Sequence, residues 1–205
     1  MAGAPEKTRI MFSVARLGCG GSENQLYELL RRIDTERFEP SVFVFAPGGE
    51  FEDRFRALGY PIDIIGRFNK FDPAIALRTA AAIRRRRPSI VYTMTLTSNF
   101  WGRIGAVMAG VPVIIGSKRA VLRHYGWTSF FPDTILTRLT DLVIANSPVV
   151  KNEYVRAASV PADKVRVIRN GVDTETIRPG KENGVRAEFC IPPQNRIVGI
   201  VARLH

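Results

Sequence analysis

Apolar runs of strand length alternate with stretches of helical periodicity along nearly all of the 205-residue chain. Consecutive parallel strands need a crossover connection, usually a helix, so this alternation is typical of a parallel sheet wrapped by helices. Seven runs are predicted to be strands, at residues 9–15, 41–46, 62–65, 89–93, 113–116, 142–145 and 165–168. The sequence therefore predicts an α/β fold, a Rossmann-like parallel sheet with helices on both faces.

Local signals mark where the predicted helices begin. Ser22 and Gln25 form a capping-box pattern after the first strand, in which each side chain would bond a backbone N–H of the first turn. Ser147, followed by a proline, is predicted to cap a later helix, and Asp72 with Pro73 has the same pattern. These signals place one helix directly behind the first strand.

Two further helix features concern the core and the helix ends. Gly110 is placed to end a helix, because glycine readily takes the left-handed conformation found there. Trp101, Ile104 and Met108 recur at helical spacing and are predicted to face the core. Trp101 is accordingly assigned to packing and not to a sugar-binding platform.

The chain changes character after Asp173. Residues 178–184 are polar and rich in turn formers, as expected of a linker. We therefore place a boundary between a domain of residues 1–178 and a segment of residues 179–205. That segment is predicted to hold a short helix at residues 185–190 and a buried strand at residues 196–201. With no helix following to cover this strand, the chain is expected to stop inside a second domain.

The charge is unbalanced, with 30 Lys and Arg against 19 Asp and Glu and a formal net charge of +11. Such a field attracts polyanions, so nucleic acid, an anionic membrane surface and phosphorylated substrates are all candidate partners. Simple solvated surface charge is the alternative. Arg84 to Arg87 lie at the end of a predicted helix, where cations interact favourably with the helix dipole.

Cysteine and histidine usage argues against stabilising cross-links. The two cysteines, Cys19 and Cys190, are far apart in sequence and belong to no Cys-x-x-Cys pair. Neither a disulfide framework nor a zinc site is predicted, and no structural metal is expected. No apolar signal region or membrane span is evident in the sequence, so a cytoplasmic location is expected.

A glycine-rich loop, Leu17-Gly-Cys-Gly-Gly-Ser-Glu-Asn, joins the first strand to its helix. Ligands collect at the carboxyl ends of parallel strands, and glycines there let backbone N–H groups approach an anion. The spacing is neither a full dinucleotide fingerprint nor a Walker motif. The loop is a candidate phosphate site, and a simple tight turn is the alternative.

Four later segments, at residues 110–115, 141–147, 164–173 and 198–205, follow this loop along the chain, and the order of all five is informative. Together the five segments resemble the N-terminal domain of family 4 glycosyltransferases, which have the two-domain GT-B fold. The resemblance covers nearly the whole chain and identifies residues 1–178 as the acceptor-side domain. It identifies residues 179–205 as a linker and the first strand of a truncated nucleotide-sugar-binding domain.

The resemblance implies a retaining transfer of a sugar from a nucleotide-sugar donor to a polysaccharide or lipid-linked acceptor. The nucleotide sugar is a co-substrate, and no cofactor or metal is implied. Gly20, Gly21 and Arg203 match positions that bind the donor, and Arg203 would pair with its diphosphate. Glu23 opens the helix behind the loop and is assigned to acceptor binding. Residues 170–173 match a turn near the interdomain hinge.

The chain departs from the family pattern after the fifth strand, where many members have a histidine. Here the sequence reads Gly116-Ser-Lys-Arg-Ala, so no catalytic residue is assigned. Lys118 and Arg119 could instead hold an anionic acceptor or a departing diphosphate, with solvated loop cations as the alternative. The aromatic stretch at residues 125–131 could contact a sugar or lipid tail, or simply pack as a loop.

Two other functions remain open on the sequence alone. A basic nucleic-acid-binding protein is not favoured, since no RNP signature, KH-type loop or zinc-finger spacing is present. The second open function is a non-catalytic domain that binds a sugar or a nucleotide. Because the remaining donor residues of the family would lie beyond residue 205, this chain by itself is expected to transfer no sugar. Contact with the cytoplasmic face of an anionic membrane is a further hypothesis.

Overall fold

The computed structural model describes residues 6–66, 74–120, 134–178 and 184–200. These residues form a seven-stranded, fully parallel sheet in the order β3-β2-β1-β4-β5-β6-β7. The strands are β1 (Thr8–Val14), β2 (Phe38–Val44), β3 (Ile62–Ile64), β4 (Ile90–Thr93), β5 (Val113–Lys118), β6 (Leu142–Ala145) and β7 (Val165–Val167). The predicted α/β class and all seven predicted strands are confirmed.

All helices but the last occupy the connections between strands, as the crossover rule requires. The helices are α1 (Gly21–Leu30), α2 (Glu52–Arg56), α3 (Ala74–Arg86), α4 (Arg103–Ala109), α5 (helical over the described residues 134–138), α6 (Pro148–Ala158) and α7 (Val185–Glu188). A π-helical turn, Ser98–Gly102, runs directly into α4, and a 3₁₀ turn, Ala162–Lys164, precedes β7. Gly110 ends α4 in the left-handed conformation, with φ of 71°. Its predicted role is confirmed.

The core lies on both faces of the sheet. On one face, Leu26 and Leu30 of α1 and Phe55 of α2 pack against side chains of β1, β2 and β4. On the other face, α3 and α4 pack against alternate side chains of the same strands and of β5. Because both faces are covered, the strands read as nearly continuous apolar runs. A third cluster places Tyr154 and Val150 of α6 against β6 and β7.

The start of α1 corrects one prediction. The helix begins at Gly21 with Gly20 as its N-cap, and no side-chain cap hydrogen bond is made. The carbonyl of Gly20 accepts the first helical hydrogen bond, from Asn24 N at 2.9 Å. The helix therefore starts before the expected capping residue Ser22, and the predicted capping box is wrong. The predicted cap at Ser147 is confirmed, since its Oγ accepts from Val150 N at 3.2 Å.

The buried face of α4 is a second correction. The π-helical turn inserts an extra residue per turn and so rotates the face presented to the core. Gly102, Arg103 and Ala106 are buried, whereas Met108 of the predicted stripe is 38% exposed. Trp101 is partly buried against the core, which confirms its assignment to packing. The Arg103 guanidinium, 1% exposed, bonds threonine hydroxyls at 3.3 Å, one of α5 and one just beyond it.

The chain divides into two compact units, residues 1–171 and 172–205. In the second unit, α7 confirms the predicted short helix. The predicted buried strand at 196–201 is wrong for the described residues 196–200, which form no strand. Val198 is 94% exposed and Ile200 is 90% exposed. A strand needs neighbours for its backbone groups, and the described part of this unit supplies none. The boundary at residue 178 stays a prediction.

Candidate functional site

The carboxyl ends of the seven parallel strands lie along one edge of the sheet. Chain order reverses between β1 and β4, which are neighbours although β2 and β3 intervene in sequence. Such a switch point opens a crevice at the carboxyl edge, where ligands of open α/β sheets bind. The glycine loop follows β1 and so begins at this switch point. The loops after β5, β6 and β7 reach the same edge.

The glycine loop forms a tight turn that leads into α1. Gly20 N donates to Gly18 O at 3.1 Å, and Gly21 is the first helical residue. A side-chain carbon at Gly21 would meet none of the described residues within 4 Å, so the helix start is open on that side. The first N–H groups of a helix have no intrahelical partner and favour an anion. The Gly21 N–H can therefore receive an anionic group, whereas the Gly20 N–H already donates to Gly18 O.

Glu23 lies in the first turn of α1, where a carboxylate is stabilised by the helix dipole. Its side chain folds back over Gly20, with Cδ 3.3 Å from the position of a Cβ there. A side chain at residue 20 would displace this carboxylate, which can move because it is the end of a flexible side chain. An anion that enters the loop would meet the negative charge of Glu23, so binding would require that side chain to turn away.

The connection after β2 braces the glycine loop from outside. Phe51 N donates to Leu17 O at 2.9 Å, and Cys19 N donates to Glu50 Oε2 at 3.0 Å. Gly49 has φ of 130° and lies against the Leu17 carbonyl, so any Cβ would clash with backbone. These supporting residues were not foreseen. The Pro-Gly-Gly-Glu sequence directly after a strand was the signal that could have found them.

Arg119 is the centre of the second part of the site, at the ends of β5, β6 and β7. Its Nε donates to Ser117 Oγ at 3.1 Å, and its Nη1 donates to Asn170 Oδ1 at 2.8 Å. Asn146 Nδ2, just after β6, donates to the Arg119 carbonyl at 3.1 Å. The guanidinium and its backbone are thus held by groups from three neighbouring strand ends. Asn146 was not foreseen from the sequence.

Lys118 points to a different place from Arg119. Its ammonium group lies 4.7 Å from the centre of the Tyr154 ring, a cation–π contact with α6. The Tyr154 hydroxyl in turn hydrogen-bonds the hydroxyl of Thr137. Successive side chains at a strand end point to opposite sides, which separates the two neighbouring cations. The structure therefore brings Arg119, and not Lys118, together with the polar groups of residues 146 and 170.

Gln25 joins α1 to the turn after β7. Its Nε2 donates to Gly171 O at 2.8 Å, and Gly171 N donates back to Gln25 Oε1 at 2.9 Å. This paired contact spans 146 residues of sequence. Together with the Arg119 contact, it fastens residues 170 and 171, the start of the Asn-Gly-Val-Asp turn, to the sheet edge. The side chain predicted to cap α1 serves this purpose instead.

Asn99 supports the site from beneath, within the π-helical turn, and is 5% exposed. Its Nδ2 donates to Ser117 O at 2.7 Å, and its Oδ1 accepts from Thr93 Oγ1 at 2.7 Å. It therefore links the ends of β4 and β5 and helps to fix the residue that binds Arg119. No sequence signal pointed to it, because its orientation depends on the π-helical register.

Some predicted features lie outside the described residues. Arg203 and the aromatic stretch at residues 125–131 are among them. Within the described ranges, no group of His, Cys, Asp and Glu side chains could hold a metal ion. No helix of the described chain is long and apolar enough to cross a bilayer.

The parallel Rossmann-like sheet of this chain, with a glycine loop at its switch point, matches the fold of the N-terminal region of GT-B glycosyltransferases. The sequence profile of Glycosyltransferase Family 4 matches residues 19–176. The chain therefore belongs to Glycosyltransferase Family 4. No curated protein was found to match the sequence.

Solved structures agree with this fold. The Anabaena HepE protein, crystallised with UDP-glucose, superposes with a TM-score of 0.73 at 20% identity, covering 89% of this chain and 50% of HepE. The lipopolysaccharide outer core galactosyltransferase WaaB gives 0.61 at 15% identity, covering 86% and 50%. A UDP-N-acetylglucosamine 2-epimerase gives 0.57 at 16% identity, covering 80% and 49%. The chain thus spans about half the length of these proteins, and the likeness concerns the fold.

Proposed function

We propose that this chain is the acceptor-side domain of a glycosyltransferase that uses a nucleotide-sugar donor. Membership of Glycosyltransferase Family 4 over residues 19–176 is the observation that carries the proposal. The glycine loop at the switch point supports it, because the backbone N–H groups at the start of a helix favour a diphosphate. The complex of the similar HepE fold with UDP-glucose is consistent with this donor class.

In the proposed reaction, the bond between the sugar C1 and the diphosphate oxygen breaks, and C1 bonds an acceptor hydroxyl oxygen with retention. The leaving nucleoside diphosphate gains negative charge as that bond breaks. The N–H group of Gly21 at the helix start would stabilise this charge, as preorganised donors do in other enzymes. Arg203 would add a pairing cation, and no metal or other cofactor is required. The acceptor hydroxyl proton passes to the leaving diphosphate, so atoms and charge balance.

The acceptor is proposed to be a polysaccharide or lipid-linked glycan handled at the cytoplasmic membrane face, with a hexose as the transferred sugar. Arg119 and Glu23 are its proposed contacts in this chain, whereas the orientation of Lys118 toward Tyr154 supports a packing role for that residue. The net charge of +11 supports an anionic surface or substrate as partner. Nucleic acid is not favoured.

Incubation with nucleotide sugars and glycan acceptors tests the proposal. A protein that joins this chain to a family 4 donor domain should release nucleoside diphosphate only when an acceptor is present. NMR of the product should show the anomeric configuration of the donor. The 205-residue chain alone should transfer nothing. Because an epimerase shares the fold, products must be examined too: epimerised nucleotide sugar without any glycoside would contradict glycosyl transfer.

A further inference from the structure

The arginines of this protein differ in what they bind. Arg31 and Arg32 bind the Glu28 carboxylate, Arg56 binds Glu52, and Arg85 and Arg86 bind Asp63. Those guanidinium charges are offset by a carboxylate at contact distance. Their roles in the described structure are local ion pairs.

Arg119 has a different environment. Both of its side-chain hydrogen bonds in the described part of the chain go to neutral oxygens, Ser117 Oγ and Asn170 Oδ1. These contacts orient the guanidinium without offsetting its charge. They also use only part of its donor set, since a guanidinium carries five N–H donors. The remaining donors make no hydrogen bond to the described residues, and they lie in the planar arrangement that matches phosphate and carboxylate groups.

The position of Arg119 suits a ligand that also reaches the glycine loop. β4 alone separates β1 from β5 in the sheet, and parallel neighbours are about 4.8 Å apart. The end of β5 therefore lies about 10 Å from the end of β1, within the length of an extended nucleotide sugar. The hydrogen bonds to Ser117 Oγ and Asn170 Oδ1 hold the guanidinium in place before any ligand arrives. This preorganisation lowers the entropic cost of binding.

We propose that Arg119 is the binding residue for an anionic group, a phosphate or a sugar carboxylate, at the carboxyl edge of the sheet. The inference rests on the proposed function and adds that one substrate presents this charge to the N-terminal domain. The source is either the donor diphosphate or an acidic or phosphorylated acceptor sugar. Lys118 has no part in this site, since its ammonium group lies over the Tyr154 ring.

The test measures binding to the purified 205-residue chain by calorimetry. Inorganic pyrophosphate represents the donor side, glucose 6-phosphate and glucuronate represent an anionic acceptor, and glucose is the neutral probe. Arg119→Met should weaken binding of one anionic class about tenfold, the loss expected for a charge-assisted hydrogen bond. Arg119→Lys should recover only part of the lost binding, because an ammonium group lacks the paired, planar N–H donors of a guanidinium. Thermal melts check that each variant remains folded.

Lys118→Met is the matched contrast, because it removes the same charge from the adjacent residue. A general electrostatic attraction would be weakened equally by both changes, and that result would overturn the proposal. Absence of anion binding by the unaltered chain, or unchanged binding by Arg119→Met, would overturn it as well. Loss confined to pyrophosphate assigns the site to the donor, and loss confined to the acid sugars assigns it to the acceptor. These readouts need no turnover, so failure of the proposed transfer remains distinguishable.

Discussion

At the scale of single residues, Asp63 shows how this protein accommodates a buried charge. Its side chain in β3 is 8% exposed and receives hydrogen bonds from Arg85 and Arg86 at 2.6 Å each. Burial by itself would raise the pKa of Asp63. The hydrogen bonds and charges of Arg86 and Arg85 outweigh it, so the pKa lies below its usual value. The arginine run that suggested a polyanion partner is therefore partly engaged within the fold.

Replacement of Asp63 by Asn should lower the free energy of unfolding at neutral pH by about 1–3 kcal/mol, since charged hydrogen bonds are lost. A depressed carboxyl pKa contributes stability above the unfolded value of about 3.9 and loses it as pH falls through the folded value. The difference between the two proteins should therefore shrink below about pH 4. Urea unfolding at a series of pH values measures this. A difference that persists undiminished at low pH would contradict the ionic origin.

The glycine loop offers a second residue-scale prediction, at its brace. Gly49→Ala should destabilise the protein by about 3 kcal/mol, because the backbone has φ of 130° and the new Cβ would meet the Leu17 carbonyl. Gly48→Ala is the control, since its φ is 77° and nothing lies within 4 Å of the Cβ position. It should cost only about 1 kcal/mol. Thermal or urea unfolding compares the two, and equal losses would show that the Leu17 contact is unimportant.

At the scale of elements, α1 connects both parts of the site. Its first residues face the open space beside the glycine loop, and Gln25 on its second turn binds Gly171 through two hydrogen bonds. Among the described residues, the turn after β7 is otherwise held by the three-residue strand β7, by Ile168 and by Asn170. The position of α1 thus influences where the chain leaves the sheet.

Gln25→Ala should speed amide exchange at Gly171, because the Gly171 N–H then loses its acceptor. About a tenfold increase corresponds to the loss of one net hydrogen bond. Ser22→Ala is the matched control on the same helix, since no side-chain cap hydrogen bond is made there. Hydrogen exchange followed by NMR or mass spectrometry reports both. If exchange became faster only in the Ser22 variant, that result would contradict the Gln25 contact and support the capping box predicted from the sequence.

At the scale of the whole molecule, the net charge of +11 is the feature that most strongly suggests an anionic binding partner. The arginine run at the end of α3 is partly neutralised, since Arg85 and Arg86 pair with Asp63 and Arg84 binds the Met108 carbonyl. Arg84 and Arg87 nevertheless lie on exposed positions without a carboxylate among their described hydrogen bonds. They can be changed without breaking the Asp63 pairs.

The double change Arg84→Gln and Arg87→Gln should weaken binding to anionic vesicles about thirtyfold, at about 1 kcal/mol for each of the two cations near the surface. Added salt should weaken binding of the unaltered protein too. Arg166→Gln with Arg169→Gln removes equal charge at β7 and just beyond it, and serves as the control. Vesicle sedimentation measures both. Equal losses would rule out a local membrane surface, and tight DNA binding without vesicle binding would favour the nucleic-acid alternative.

The sequence by itself determined the class of fold and the position of the glycine loop. Hydrophobic periodicity is a local property, because side chains alternate every second residue in a strand and every three to four in a helix. All seven strands, the cap at Ser147 and the helix stop at Gly110 could therefore be predicted. The capping box at Ser22 failed for an equally local reason, since Gly20 allowed the helix to begin earlier.

Only the tertiary structure decided which side chains meet at the site. Gln25 and Gly171 are 146 residues apart, and Arg119 and Asn170 are 51 apart. They meet because the strand order brings the ends of separate strands to one edge. The separation of Lys118 from Arg119 depends on the direction of each side chain at the end of β5, and the buried face of α4 depends on a π-helical turn. Such contacts arise from packing between distant segments, which no local pattern of residues records.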